Sequence, residues 1–279
     1  MIFANFLRNK ISQFSKLFKI RAENPVFTDP SLAKYCCPVC SQNVNNFSRL
    51  PDSYYDELDK NGFIFSIFQF ETLNCLKYLC PVCGSSDRDR LYALYLGDKP
   101  PKCCQSPKGL ILDFAPAKRL QQFICESFPN FEYRSADLTR PDVDDLIDIS
   151  NMEGYANNSF DFLVCSHILE HVEKDQAAMK ELFRILKPSG KGIVMVPIML
   201  TLGNDYEIKG MVSPEMRWKH FGQDDHVRMY SKSGFTQKLK SAGFKVNEFG
   251  VEYFGSERFN EHGIHPRSVL YVVEKPCHV

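Results

Sequence analysis

An excess of charge of either sign is what this 279-residue chain lacks, with 34 lysines and arginines against 34 acids. Proteins that work mainly on nucleic acid usually carry a basic surplus for the phosphates, so that class of partner is not expected. No apolar run approaches the ~18–20 residues that a helix needs to span a bilayer. No secretory signal is evident either, so the 11 cysteines fit a reducing compartment, where clustered thiols bind metal more often than they form disulfides. A cytoplasmic location is expected. Apolar residues are plentiful at 44%, and the length allows one large domain or two modest ones.

The most informative stretch is Asn157–Pro197. Phe160–Cys165 is a nearly continuous apolar run, as in a strand buried on both faces of a parallel sheet. From about Glu173 the period becomes helical, with Ala178, Met179, Leu182, Phe183 and Leu186 on one face. Lys187-Pro188-Ser189-Gly190 is expected to stop that helix, and Gly192–Val196 to form a second strand. Such crossovers are right-handed and build parallel sheets. The polar patch Ser166-His167, with Glu170 and His171, follows the first strand, on the edge where open sheets bind ligands.

Residues 31–98 carry two copies of Cys-Pro-x-Cys, Cys37–Cys40 and Cys80–Cys83, the second followed by Gly84. Two intervening residues let a tight turn aim both thiolates at one ion, and two such knuckles complete a tetrahedral zinc site. Cys36 or Cys75 is an alternative ligand. A closed four-thiolate site has no open position, so the zinc is read as structural. An insertion, Gly62–Leu73, is expected to fill the long gap between the knuckles.

Ser85–Leu96 reads as a helix capped by Ser86 or Asp87. Its Arg88 and Arg90 either face an anionic substrate or are solvated. Asp98–Gly109, rich in proline, is the expected domain boundary, and Cys103-Cys104 within it lacks ligand spacing. Residues 1–22 contain five basic residues, no acid and one apolar helical stripe. This predicts a basic amphipathic helix, either packed on the protein or a second subunit or lying on an anionic membrane surface. A cleaved presequence would share the composition. Pro25 should end the helix by Asn24.

SFDFLVCSHILEHV, followed by a helix, LKPSGKG and a strand, resembles the second half of class I S-adenosylmethionine-dependent methyltransferases, in particular the branch labelled methyltransferase type 11. The resemblance covers roughly the last two thirds of the chain. The second knuckle running into Arg88-Asp89-Arg90 is similar to methyltransferases with an N-terminal zinc ribbon. The implied architecture is α/β: a Rossmann-like sheet with helices on both faces over 105–279, preceded by the zinc-ribbon module at 31–98 and the amphipathic helix at 1–24. The last strand, Ser268–Glu274, is then antiparallel, beside Phe244–Phe249, with a helix over Ser231–Ala242 before them.

The resemblance also implies site residues. Asp113 ends the first strand and matches the family's acid, while Ala115 and Ala117 stand where glycines are usual, although alanine tolerates positive φ poorly. Asp137, with Leu138 beside it, matches the acid that holds the ribose hydroxyls, a turn cap being the alternative. Asp148-Ile149 matches the adenine segment, with Asp142, Asp144 and Asp145 as nearby alternatives. Ser166 and His167 complete the expected cofactor set. The long segment Ile198–Ser231 contains Lys219–Tyr230, similar to a His-x-Gly-Gln-x-Asp-His-Val-Arg string of the zinc-ribbon family, and is expected to form a lid. Methyl transfer to an oxygen or nitrogen needs alignment and, for a hydroxyl, a base. His226, held by Asp225, is the first candidate and His167 the second. The expected acceptor is a small molecule or glycan-like compound. The rivals are an RNA methyltransferase and a non-catalytic cofactor-binding scaffold, the latter motivated by the glycine-poor turn.

Overall fold

The computed structural model describes residues 33–103, 108–210 and 213–277. The predicted helix at 1–24 lies outside them. Two short antiparallel strands, β1 (Tyr35–Cys36) and β2 (Asn43–Val44), hold the first knuckle between them. Helix α1 (Asp52–Lys60) and a 3-10 turn at Ile67–Gln69 follow. Helix α2 (Asp87–Asp98) starts at a capping box, in which the Ser86 hydroxyl accepts from Asp89 N–H and the Asp89 carboxylate accepts from Ser86 N–H. That arrangement satisfies two donors the first turn would otherwise leave unpaired.

The chain then alternates: β3 (Gly109–Phe114), α3 (Lys118–Ser127), β4 (Phe131–Asp137), β5 (Asp145–Leu146), β6 (Phe160–Ser166), α4 (Asp175–Ile185) and β7 (Leu186–Met195). Next come β8 (Tyr206–Glu207), α5 (Pro214–Phe221), β9 (Arg228–Met229), α6 (Lys232–Ser241), β10 (Lys245–Phe249), α7 (Val251–Phe254), α8 (Ser256–Glu261) and β11 (Leu270–Glu274). One seven-stranded sheet has the order β10-β11-β7-β6-β3-β4-β5. Its strands are parallel except β11, which runs against both β10 and β7. This is the Rossmann-like methyltransferase sheet, and its antiparallel last strand is where the sequence placed it.

The strand order reverses at β3, which lies between β4 and β6. Ligands of open parallel sheets bind outside the carboxyl ends at such a switch. Here those ends are Phe114 and Ser166.

The segment Lys187–Gly190 departs from its expected role as a helix stop. It belongs to β7, where Phe160 pairs with Leu186 and Phe162 already pairs with Lys191. The partner strand advances two residues while β7 advances five, so the proline and Ser189, at φ 64°, form a bulge. Lys187 secures it by reaching the buried Asp161 at 2.7 Å. Punctuation by proline and glycine marks bulges as well as helix ends.

Helix α2 is buried almost throughout, and its Leu91, Tyr92 and Tyr95 belong to the same core as the sheet. A second core joins α1 and the insertion to the expected lid segment: Leu58, Ile67 and Phe70 meet Met199, Phe221 and Met229, with Trp218 packed alongside. Backbone bonds stitch the same seam, from Ile64 N–H to Lys219 O and from Leu200 N–H to Gln69 O, each 3.0 Å.

Candidate functional site

The two knuckles are built alike. Cys37 O accepts from Ser41 N–H at 2.7 Å, and Cys80 O accepts from Gly84 N–H at 2.8 Å. The residue after each second cysteine is left-handed, at φ 56° in Ser41 and φ 76° in Gly84. Only at the second knuckle does glycine remove the strain of that conformation. The four thiol sulfurs of Cys37, Cys40, Cys80 and Cys83 lie within 4.8 Å of one another. Neither Cys36 nor Cys75 belongs to the group. Cys75 is instead buried in the seam core, which pushes its thiol pKa up.

A cavity of about 1040 Å³ opens at the switch point. Its floor includes Asp113, Ala115 and Ser166, its roof Phe221 and His226, and one wall is the second knuckle with Arg88. The turn after β3 keeps the shape of the glycine-rich form, because Ala115 takes φ 48°. An alanine there costs roughly 1–2 kcal/mol of backbone strain. Ala117 caps α3 without a side-chain acceptor, so the helix's first N–H groups lack an intrahelical partner. Asp113 is buried and accepts from Tyr133 Oη at 2.8 Å. Burial, only partly offset by the tyrosine, raises its pKa to about 7.

Other expected cofactor residues stand outside the cavity wall. Asp137 Oδ1 accepts from Thr139 N–H at 2.8 Å and Arg140 N–H at 3.0 Å. One carboxylate oxygen is thus committed to a turn. Asp148 is exposed and accepts from Ser150 within its own turn, and Ile149 beside it is buried. Leu138 is 60% exposed. Ser166 on the cavity floor shares a 2.8 Å hydrogen bond with the buried Tyr92 of α2.

Arg90 corrects the sequence reading. It is fully buried and does not line the cavity, with its guanidinium against the Phe47 ring at 3.8 Å. It donates to the carbonyls of His262, Tyr78, Ser85, Lys77 and Gly263. Arg88 does line the cavity.

The most concentrated chemistry is in the loop after β6. His167 takes φ 56°, and a 3-10 turn at Leu169–His171 follows. Strand β9 and the residue before it clamp this turn: Val227 N–H donates to Glu170 O at 2.9 Å, and Arg228 donates to the carbonyls of Leu169, Val172 and Glu173. The clamp brings His226 edge-on to His171, ring centroids 4.6 Å apart. Asp225 partners His171, not His226 as expected, with Oδ1 3.3 Å from His171 Nδ1. His226 Nδ1 lies 3.3 Å from Phe221 O. Glu170 is fully buried beside them, 3.3 Å from His167 Nδ1. Sequence reasoning noted Glu170 but gave it no role. Its signal was an acid three residues after one histidine and next to another.

Burial, followed by the neighbouring His171, lowers the His226 pKa to about 4. Burial and then Arg88 also lower that of His167. Burial works against the charge of Glu170 and Asp225, but adjacent imidazoles, His167 and His171 first, hold both near 2. For His171 burial is outweighed by Asp225, and its pKa rises.

Residues 126–194 match the family described as Methyltransferase domain. No curated protein matches the chain. Among solved structures, similarity extends to Haemonchus contortus phosphoethanolamine N-methyltransferase 2, with 13% identity over 71% of this chain and 54% of that one, at a TM-score of 0.45. Burkholderia thailandensis 1,6-didemethyltoxoflavin-N1-methyltransferase shares 15% identity over 61% of this chain and 72% of its own, at 0.41. An S-adenosylmethionine-dependent methyltransferase of Thermotoga maritima shares 16% over 62% and 84%, at 0.38. The domain match and the sheet together support the class of S-adenosylmethionine-dependent methyltransferases. No helix among the described residues is long and apolar enough to cross a membrane.

Proposed function

We propose that the chain methylates an oxygen or nitrogen of a small, acid-bearing or glycan-like molecule held in the roofed cavity. The observation that carries this reading is the cavity's volume and cover. At about 1040 Å³ it lies at the top of the range for small-molecule sites, which leaves room for the methionine end of the cofactor and a small acceptor together. Phe221, Gln223 and His226 of the expected lid and Phe70, Thr72 and Leu73 of the insertion line it, and walls from both segments favour a small acceptor over a polymer. The neutral net charge favours it over RNA. Arg88 is the cation on its wall, suited to a carboxylate or phosphate of the acceptor.

In this reading the turn Asp113–Ala117 and the start of α3 hold the methionine part of the cofactor. The unengaged oxygen of Asp137, with Leu138 beside it, takes the ribose, and Asp148 and Ile149 serve the adenine. Ser166 and His167 line the floor beneath the reacting groups. The acceptor's oxygen or nitrogen attacks the methyl carbon, the carbon–sulfur bond breaks, and its electrons stay on sulfur. The sulfonium is already activated, so the protein's main contribution is alignment. An acceptor proton passes to His226 or His167, two of the three rings, with His171, that line the cavity.

Zinc at Cys37, Cys40, Cys80 and Cys83 belongs to the same proposal. Bonds of ~2.3 Å in a tetrahedron set sulfurs ~3.8 Å apart. The Cys37–Cys83 and Cys40–Cys80 sulfurs lie 3.8 and 3.9 Å apart, which supports the fit. Such an ion would fix the knuckle that walls the cavity. Cytoplasmic location, and packing or membrane contact by residues 1–22, remain expectations.

Calorimetry of the full chain with S-adenosylmethionine is the direct test, followed by small-metabolite comparison between cells with and without the protein. One cofactor per chain and a methylated acidic or sugar-like metabolite are the expected results. A folded protein that binds neither S-adenosylmethionine nor its demethylated product would refute the reading.

A further inference from the structure

We propose that Glu170, His171 and His226 form a binding site for a divalent transition-metal ion at the cavity, distinct from the four-cysteine group. One ligand atom from each of these residues lies within 4.8 Å of the others. Both carboxylate oxygens of Glu170 are buried and have no hydrogen-bond partner. His167 Nδ1 stands 3.3 Å from one of them without the alignment of a hydrogen bond. A buried, unpartnered carboxylate is costly, and a cation among these ligands removes that cost.

The surroundings are those of a metal site. Metal-binding histidines usually give their second ring nitrogen to a carboxylate or backbone carbonyl, which fixes the ring and frees the other nitrogen. Here His226 Nδ1 faces Phe221 O, and His171 Nδ1 stands 3.3 Å from Asp225 Oδ1, a buried oxygen that likewise has no aligned hydrogen bond. In each ring Nε2 is left for the ion. The backbone is held as well, since Val227 and Arg228 bond the carbonyls of residues 169, 170, 172 and 173. Two imidazoles and one carboxylate make the donor set of catalytic zinc and of non-haem iron centres, and three protein ligands leave a position open. All three residues line the cavity, so an acceptor hydroxyl can take that position.

What the ion does there rests on the methyl-transfer reading. A coordinated hydroxyl loses its proton more easily. The proton passes to His167, the oxygen's electron pair forms the bond to the methyl carbon, and the carbon–sulfur bond breaks toward sulfur. His226 is then a ligand and His167 the proton acceptor.

The test is a cobalt(II) titration of chelator-treated full-length protein, followed by absorption spectroscopy. Two sites should fill: one with strong thiolate charge-transfer bands from the cysteines, the other with ligand-field bands alone. Glu170→Gln and His226→Ala should abolish the second signal and keep the first. Asp225→Asn, which acts through His171, should weaken the second site about 10–100-fold. Calorimetry with S-adenosylmethionine runs on the same samples and should be unchanged in Glu170→Gln. A protein that binds the cofactor but takes up cobalt only at thiolates overturns the metal site and leaves the methyltransferase reading standing. Metal at both sites with no cofactor binding does the reverse. A second cobalt signal that survives Glu170→Gln in a variant with wild-type circular dichroism also overturns the assignment.

Discussion

Replacing Arg90 tests how the cysteine-bearing segment is joined to the sheet. Arginine has five N–H donors, and the five carbonyls around this guanidinium come from Lys77, Tyr78, Ser85, His262 and Gly263. Those residues flank the second knuckle and form the turn after α8, so one side chain ties two distant parts of the chain. Ser85 O also accepts from Cys80 N–H and Gly263 O from Asn74 Nδ2, but the carbonyls of His262, Tyr78 and Lys77 depend on Arg90, each on a different nitrogen. Arg90→Lys keeps the charge but has a single nitrogen, which strands two of those three. At about 1–3 kcal/mol for each stranded group, the loss is about 2–6 kcal/mol. Arg90→Met strands all three, a loss of about 3–9 kcal/mol that reaches into the whole stability of an ordinary domain, about 5–15 kcal/mol. Urea unfolding followed by circular dichroism should therefore place wild type above Lys, with Met unfolded or nearly so. An Arg90→Lys protein within about 1 kcal/mol of wild type would mean the cage contributes little, and the reasoning would fail.

Asp113 sets a pH dependence in the cofactor-free protein. Its carboxyl has a pKa of about 7 when folded against 3.8 when free, so the folded state binds the extra proton between those values. Its contribution is full below about pH 4 and declines by about 4 kcal/mol as pH rises to about 7. Asp113→Asn should flatten that slope in urea unfolding at matched pH values. Asp137→Asn keeps an acceptor for the Thr139 and Arg140 N–H groups but loses the charge, so S-adenosylmethionine affinity should fall about tenfold at unchanged melting temperature. Unchanged affinity would return Asp137 to a turn-capping role. Elemental analysis should find one tightly held zinc per chain, lost in Cys80→Ser. Cys36→Ser should retain it.

Much of the sheet was legible because buried strands are nearly uninterrupted apolar runs, as Phe160–Ser166 and Leu270–Glu274 are. The knuckles were legible because thiolate geometry dictates their spacing. Arg90 was not, since charged helix residues are usually solvated and nothing local announces carbonyls more than 170 positions away. The partner of Asp225 was misread for a related reason. Adjacency favoured His226, but β9 docks on the turn at Leu169–His171 and hands the carboxylate to His171 instead. Tertiary pairing of two short loops leaves no periodic trace in either.

The seam between the insertion and the lid bears on how acceptor choice could change by descent or by engineering. Tyr54 Oη bonds Gly222 O at 3.1 Å, and the Phe70–Met199 bridge crosses the same junction. The covering segment thus has its complementary surface in residues 50–73, far upstream of the sheet. A lid transplanted alone from a relative would arrive without its counterpart, with apolar side chains facing a mismatched bed. Functional chimeras should require both segments from one parent. Natural divergence in this architecture should likewise show the two stretches varying in concert, while the strands between them drift independently.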